Sequence, residues 1–208
     1  GDFLFAQSSW YLANLDNLAV VKLLSRVIMD LAEGEIRQGL KHFDTSLSID
    51  AYLEKSYYKT ATLIANSAKA AGVLSEVSEP QAENLYQFGR SLGLAYQVVD
   101  DILDFTGSEA VLGKPAGSDL RSGNLTAPVL YAMEEVPYLK TLIEREFSES
   151  EDFEQAIELV HNSQGIGRAR VLAQSHVQHA LECLSSLPAS ESRQALEDIS
   201  AYVLRRLK

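Results

Sequence analysis

Three aspartates near the end of an apolar segment are the strongest candidates for chemistry in this sequence. Asp100, Asp101 and Asp104 stand in the run Asp-Asp-Ile-Leu-Asp, with valine, isoleucine, leucine and phenylalanine around them. Residues four apart share a helix face, so Asp100 and Asp104 are expected on one side of a helix, with Asp101 about 100° round from them. Carboxylate oxygens are the ligands that Mg²⁺ prefers. These three residues, called the acidic cluster below, predict a magnesium site, and a solvent-exposed acidic patch is the alternative interpretation.

Polar side chains also interrupt the apolar faces of neighbouring segments. Gln97 precedes the acidic cluster and shares a helix face with its first and last aspartates. Lys59 and Thr60 place a cation and a hydroxyl on a second apolar segment. Glu35 and Gln38 place a carboxylate and an amide on a third. Taken alone, Gln97 also fits a hydrogen-bonded core amide, and Lys59 fits a surface lysine whose stem packs on the protein. Together they predict three helices that direct polar groups inward.

The segment 107–123 has no helical periodicity and is the only long irregular stretch of the sequence. Lys114 follows the acidic cluster, and Gly113 and Gly117 allow backbone N–H groups to approach an anion. Long ordered loops in compact domains are usually functional. The position of this loop after the acidic cluster predicts that it contributes to the same site.

Elsewhere, apolar residues recur at intervals of three and four, which is the helical period. Asp16 is expected to cap one helix, Ser48 to begin another, and Ser78 with Gln81 to form a capping box that begins a third. The third helix has about eight turns at roughly 3.6 residues each, carries the acidic cluster and ends near Gly107. Further helical patterns cover 138–147, 153–161, 168–184 and 191–207. Without strand alternation or internal repeats, the sequence predicts an all-α fold, either a bundle or an orthogonal array of helices.

Composition excludes several classes of function. The 208 residues are 46% hydrophobic and 23% charged, which is enough for one substantial core, so 1–208 is expected to form a single domain. A net charge of −11 disfavours nucleic acid, because phosphate backbones are bound by clustered lysine and arginine. Cys183 is the only cysteine, which favours a reducing compartment. The apolar stretch 3–13 is too short and too interrupted for a signal peptide or a transmembrane segment.

Five motifs in this order resemble the trans-isoprenyl (polyprenyl) diphosphate synthases, and the resemblance covers the whole chain. The acidic cluster matches the family's second aspartate-rich motif. A Gly-Glu-x-x-Gln segment, a Lys-Thr pair, a Phe/Tyr-Gln pair and a Gly-Lys-x-x-Gly-x-Asp loop are matched by Gly34, Glu35, Gln38, Lys59, Thr60, Tyr96, Gln97, Gly113, Lys114, Gly117 and Asp119. Several motifs in one order are far more specific than any single one. Residues 1–13 and the Gly-Asn-Leu-Thr-Ala-Pro stretch are most similar to the long-chain, solanesyl-type enzymes of cyanobacteria and plastids.

The resemblance implies an isoprenoid synthase-type helical bundle whose N-terminal helices are missing, so that 1–208 is the C-terminal portion of a polyprenyl synthase domain. The implied reaction condenses isopentenyl diphosphate with an allylic prenyl diphosphate and uses Mg²⁺. A homodimer is implied, in the bacterial cytoplasm or, in a plant, in the plastid. Trp10 and Tyr11 are expected to pack in the core or in the subunit interface.

The resemblance also implies a role for each matched residue. The acidic cluster would bind metal. The implied diphosphate-binding residues are Lys59 and Lys114, the residues that position the leaving group and the carbocation are Thr60 and Gln97, and the supporting residues of the cavity are Glu35, Gln38, Tyr96 and Asp119.

Two features depart from the family pattern. The first aspartate-rich motif does not occur within these 208 residues, and neither do the upstream basic residues that bind isopentenyl diphosphate, so this stretch alone is expected to be inactive. Asn124 stands where many members carry another diphosphate-binding lysine, which suggests a weaker cationic clamp or a variation within a subgroup.

Two other functions fit part of the sequence. A class I terpene cyclase also combines helices with an aspartate cluster, but its second metal motif is usually Asn/Asp-Ser/Thr-Glu, which the acidic cluster does not match. A non-catalytic, synthase-like regulatory subunit would explain the missing first motif, yet such a subunit has no need for an intact second motif. Part of an ordinary synthase is therefore the preferred interpretation.

Overall fold

The computed structural model describes residues 1–39, 42–107 and 116–207, with the backbone alone at 37–39. Its α-helices are α1 (Asp2–Ala13), α2 (Leu18–Gly39), α3 (Ile49–Ser56), α4 (Thr62–Leu74), α5 (Glu79–Thr106), α6 (Ser118–Arg121), α7 (Ala127–Glu135), α8 (Tyr138–Glu144), α9 (Asp152–Asn162), α10 (Gly165–Leu184) and α11 (Glu191–Arg205). No β-strand occurs in the ranges described, and the predicted all-α class is confirmed.

The long helix α5 lies at the centre of the structure and carries the acidic cluster in its last two turns. At its start, Gln81 Oε1 accepts a hydrogen bond from Ser78 N at 3.2 Å, as expected for the predicted capping box. Its buried face packs against α4, α7 and α10. Side chains with no exposed surface lead up to and into the cluster: Leu94, Ala95, Val98, Val99 and Ile102. The backbone that carries the acidic cluster is therefore held on several sides.

Two glycines allow α5 to approach its neighbours closely. A Cβ atom at Gly93 would lie 2.6 Å from Ala61 Cα, and one at Gly89 would lie 2.6 Å from the carbonyl oxygen of Ile64. Neither separation leaves room for a methyl group, so glycine is required for this helix crossing. The crossing at Gly93 brings Gln97, one turn further along α5, beside Thr60.

The helix starts agree with the expected caps, with one shift. Ser48 Oγ accepts from Ala51 N at 3.2 Å at the start of α3, as predicted. At the start of α2, Asn17 Oδ1 accepts from Val20 N at 3.2 Å, and Asp16 lies one position earlier. The prediction that Asp16 caps this helix is therefore wrong by one residue. Both residue types cap well, so their order in the sequence does not decide between them.

The segment after Ser48 is not one continuous α-helix. Five residues of π-helix, Tyr57–Ala61, lie between α3 and α4. Such π-helical turns interrupt α-helices at single points and are frequent at functional sites. This one contains both members of the predicted Lys-Thr pair. Thr60 is half-buried and Lys59 is exposed, so the turn directs the two side chains into different surroundings.

The first helix contributes nothing to the core. α1 contacts α2, and none of its residues is buried. Trp10 and Tyr11 are each 60% exposed, so they do not pack in the core, and a subunit interface remains the prediction for them. Among the helices described, none is both long enough and apolar enough to span a bilayer.

Candidate active site

Asp101 is the buried centre of the site. It is 3% exposed, and both of its carboxylate oxygens accept hydrogen bonds. Tyr52 Oη donates to Oδ2 at 2.5 Å, and Gln97 Nε2 donates to Oδ1 at 2.8 Å. A buried carboxylate needs such partners, because leaving it unpaired would cost several kcal/mol.

The amide of Gln97 extends this network to the π-helical turn. Thr60 Oγ1 donates to Gln97 Oε1 at 2.6 Å, so the amide nitrogen faces Asp101 and the amide oxygen faces Thr60. The network thus runs from Thr60 through Gln97 and Asp101 to Tyr52, and it joins three helical segments. The sequence predicted that Gln97 lies beside the outer two aspartates of the cluster. It pairs instead with Asp101, four residues further along α5, and that prediction is corrected.

Burial controls the ionisation of Asp101. Desolvation raises its pKa from 3.8 to about 7, and the hydrogen bonds from Tyr52 and Gln97 lower it only in part. The charge of Asp119 raises this pKa slightly, and that of Lys55 lowers it. The pKa of Tyr52 is raised well above 10, first by burial and then by the neighbouring charge of Asp101. The tyrosine therefore keeps its proton at neutral pH and donates a hydrogen bond to the carboxylate.

Asp104 is equally buried, but it accepts hydrogen bonds from the first residues of α6. It is 2% exposed and accepts hydrogen bonds from Ser118 Oγ at 2.8 Å and from Asp119 N at 3.1 Å. These donors lie in the first residues of α6, and Gly117, just before them, has φ 72°, which favours glycine. Asp104 therefore fixes the start of α6 against the end of α5.

Asp100 is the accessible carboxylate of the cluster. Its side chain is 45% exposed, and its Oδ1 accepts a hydrogen bond at 2.6 Å from Nη2 of Arg206. Arg206 follows α11 and also lies over the ring of Tyr96, with its Cζ 4.5 Å from the ring centroid. Asp100 and Asp104 were expected to act together on one helix face. They have different environments, because Ser118 and Asp119 of α6 donate hydrogen bonds to Asp104, whereas the side chain of Asp100 is 45% exposed.

These environments decide which aspartate suits a metal ion. Within the ranges described, no three Asp, Glu, His or Cys side chains converge well enough to hold an ion between them. Mg²⁺ is usually bound through one or two carboxylates, several waters and phosphate oxygens of the substrate. The open carboxylate of Asp100 fits that arrangement. Asp101 and Asp104 fit it less well, because their oxygens already accept hydrogen bonds from the protein.

A small polar cavity lies next to this network, with an interior of about 10 Å³. Its lining combines two lysines, the Asp101 network and the loop that precedes α7: Tyr52, Lys55, Ser56, Lys59, Gln97, Asp101, Asn124 and Thr126. Lys55 Nζ donates to Asn124 Oδ1 at 2.6 Å. The structure thus places a lysine against the asparagine that departs from the family pattern.

The remaining predicted residues have varied positions. Glu35 is exposed on α2, so the prediction that it points inward is wrong, and Asp119 is half-buried beside Asp104. Tyr96 is 40% exposed on α5, under the guanidinium group of Arg206. The side chain of Gln38 and both Gly113 and Lys114 lie outside the described residues.

Sequence reasoning missed Tyr52, Lys55 and Arg206. In the sequence a tyrosine at this position is typical of an ordinary core residue, yet the hydroxyl of Tyr52 contacts Asp101, 49 residues away. Arg206 and Asp100 are 106 residues apart. A lysine two positions before the Tyr-Tyr-Lys-Thr run is the one local signal that could have indicated Lys55.

Comparison with known proteins agrees with the fold and the motifs. A family model described as polyprenyl synthetase matches residues 1–160. A prenyl transferase of Synechocystis sp. is 62% identical over 207 residues, which cover 100% of this chain and 64% of that protein. The chloroplastic solanesyl-diphosphate synthase 2 of Oryza sativa subsp. japonica is 54% identical over all of this chain and 51% of its own length.

A solved structure agrees with this family match. The apo form of an Arabidopsis medium/long-chain length prenyl pyrophosphate synthase matches with a TM-score of 0.89 and 41% identity, over 100% of this chain and 71% of that one. The fold is therefore the helical bundle of the prenyl synthases. The chain belongs to the polyprenyl synthetase family. Its predicted similarity to solanesyl-type enzymes of cyanobacteria and plastids is confirmed, and the chain spans about half to two thirds of the length of the two relatives.

Proposed function

We propose that the protein containing this chain is a trans-polyprenyl diphosphate synthase that condenses isopentenyl diphosphate with an allylic prenyl diphosphate. The observation that carries this proposal is the hydrogen-bonded network from Thr60 through Gln97 and Asp101 to Tyr52, beside the cavity that Lys59 lines. A network with this many partners fixes its side chains, as a site that must hold a reactive substrate requires.

The reaction separates charge between an anionic diphosphate and a carbocation, and the polar residues of the site suit both of these groups. The allylic C–O bond breaks, the new C–C bond forms, and a proton is lost to the departing diphosphate. The ammonium of Lys59, with that of Lys114, would bind diphosphate oxygens. Thr60 uses one lone pair of Gln97 Oε1, and the second lone pair would favour positive charge that develops on the allylic carbon. Glu35, Gln38, Tyr96 and Asp119 would support the cavity around these groups.

When bound, Mg²⁺ would supply positive charge that stabilises the departing diphosphate. Of the predicted metal ligands Asp100, Asp101 and Asp104, the open carboxylate of Asp100 would contribute most directly. Asp101 would orient Gln97, and Asp104 would hold the start of α6.

Turnover by the full gene product containing this chain tests the proposal. Given isopentenyl diphosphate, an allylic diphosphate and Mg²⁺, it should form polyprenyl diphosphates, resolved by reversed-phase chromatography after dephosphorylation. Asp100→Ala should lower turnover by orders of magnitude, whereas Asp198→Ala, at an exposed aspartate of α11, should not. Near wild-type condensation by Asp100→Ala would refute its role. Hydrocarbon made from the allylic substrate alone would indicate a cyclase, and stimulation of another synthase without turnover would indicate a regulatory subunit.

Three further properties belong to the same proposal. Residues 1–208 form a portion of one helical domain and should show no condensation on their own. Detectable product from this purified stretch would contradict that. The full protein should form a homodimer, and a monomeric mass by light scattering would count against it. The exposed apolar side chains of α1 support this assembly: Phe3, Leu4, Phe5, Trp10 and Tyr11. The proposed location is the bacterial cytoplasm or a plant plastid.

A further inference from the structure

Lys55 belongs to none of the matched motifs, yet the structure holds it at the candidate active site. Its Nζ lies 2.6 Å from Asn124 Oδ1, and the residue lines the small polar cavity together with Lys59. The asparagine oxygen accepts from this ammonium group, so the amide fixes where the positive charge of Lys55 lies. In a chain with a net charge of −11, two lysines four positions apart on one helical segment are a local concentration of positive charge.

Thr126 provides an independent sign that the cavity takes a ligand. The residue is 2% exposed, lines the cavity, and its Oγ1 has no hydrogen-bond partner. Such a buried hydroxyl normally has a partner, because leaving it without one is costly. Thr126 is also the N-cap of the nine-residue helix α7, the end at which a helix favours negative charge.

The size and charge of the cavity limit what can enter. An interior of about 10 Å³ has room for one oxygen atom or one water molecule. Among the described residues that line it are two lysines and Thr126, the N-cap of α7, against one carboxylate, Asp101, whose two oxygens already accept hydrogen bonds. An anionic oxygen therefore suits the cavity better than a neutral one.

We propose that Lys55 and Thr126 form a subsite for one terminal oxygen of the substrate diphosphate, with Asn124 positioning the ammonium group of Lys55 and the rest of the diphosphate lying at the mouth beside Lys59. This subsite rests on the proposed prenyltransferase function and adds a binding residue to it. Because Lys55 Nζ and Asn124 Oδ1 are in contact, a lysine at position 124 can place its charge at nearly the same point from the opposite side.

Charge relocation tests the subsite in the full gene product, with Mg²⁺ and inorganic diphosphate as the ligand. By isothermal titration calorimetry, Lys55→Met should weaken diphosphate binding by about 10- to 100-fold, the effect of losing one charge-assisted hydrogen bond. The double variant Lys55→Met with Asn124→Lys should recover most of that loss, and Lys55→Arg should retain most of the affinity. Thr126→Val should weaken binding by about 5- to 10-fold. The control Lys140→Met, at an exposed lysine of α8, should bind like the wild type.

Unchanged diphosphate affinity in Lys55→Met, with circular dichroism showing a folded protein, would overturn the subsite. So would a double variant as weak as Lys55→Met, because the charge would then not be what matters. If Thr126→Val binds diphosphate normally, the cavity holds a structural water and the subsite is wrong. Prenyl transfer is measured separately. If the wild type makes polyprenyl product while these variants bind diphosphate normally, the subsite is wrong and the proposed function stands. If the wild type neither forms product nor binds diphosphate, both the subsite and the proposed function are wrong.

Discussion

Tyr52 Oη and Asp101 Oδ2 lie 2.5 Å apart, although 49 residues separate them in the sequence. Both side chains are buried, so neither has water as an alternative partner. The tyrosine keeps its proton because burial and the adjacent carboxylate raise its pKa. This contact joins α3 to the acidic end of α5 and fixes one side of Asp101, while Gln97 fixes the other.

Replacing Tyr52 with Phe should raise the pKa of Asp101 above about 7, because the hydrogen bond from the tyrosine lowers that pKa. Carboxyl ¹³C chemical shifts, followed against pH in metal-free buffer, measure this directly. At pH 8 the variant should also lose about 1–3 kcal/mol of unfolding free energy, since an ionised buried oxygen loses its donor. Tyr202→Phe, at an exposed tyrosine of α11, is the matched control and should change neither quantity. An unaltered Asp101 titration in Tyr52→Phe would show that the hydrogen bond has no influence on ionisation.

The ionisation of Asp101 should also appear in the pH dependence of stability. Its pKa rises from 3.8 to about 7 on folding, so between these values the folded state binds more protons than the unfolded state. The contribution of Asp101 to stability therefore decreases as pH rises from about 4 to about 7, by at most about 4 kcal/mol at roughly 1.4 kcal/mol per pKa unit. Asp101→Asn removes this titration, so the wild-type minus variant difference in unfolding free energy should fall across that range. Urea denaturation in metal-free buffer measures it, and parallel curves for the two proteins would contradict the assignment.

Arg206 should compete with divalent cations for Asp100. The pair is partly exposed, so Arg206→Met should cost no more than about 1 kcal/mol of stability. Removing the positive charge should strengthen binding of Mn²⁺, used as a spectroscopic substitute for Mg²⁺ and titrated by electron paramagnetic resonance. Arg205→Met, at the preceding exposed arginine, controls for the loss of overall charge. Equal Mn²⁺ affinity in both variants would show that the contact of Arg206 with Asp100 does not affect metal binding.

Local patterns were sufficient to predict much of the fold. Ser48 and Ser78 begin helices because capping depends on neighbouring residues, and the long apolar period correctly gave α5 and the position of the acidic cluster. The different environments of Asp100 and Asp104 could not be predicted, since both occupy the same helix face. What separates them is α6, whose first residue donates to Asp104, and the arginine that follows α11 and donates to Asp100.

The site network was unpredictable for a similar reason. The π-helical turn at Tyr57–Ala61 has no signature in its sequence, and it packs against α2 and α5. Tyr52 sits on an apolar stripe and resembles any core tyrosine until Asp101 is placed beside it. Motifs identified most of the residues proposed to act in the reaction, but contacts between distant segments decide which of them meet.

Gly93 is the packing position that brings Gln97 beside Thr60, and its replacement should affect both stability and the site. In Gly93→Ala the new methyl group would lie 2.6 Å from Ala61 Cα, so α5 and the π-helical turn must separate. We expect a loss of about 1–3 kcal/mol in unfolding free energy, from overpacking, together with a longer distance between Thr60 and Gln97. Gly167→Ala is the matched control, since the methyl group there would meet nothing closer than 3.6 Å in an exposed part of α10. It should gain about 0.5–1 kcal/mol from helix propensity. Thermal denaturation of the two variants should therefore shift in opposite directions, and a Gly93→Ala protein as stable as the wild type would mean that the helix crossing can relax without cost.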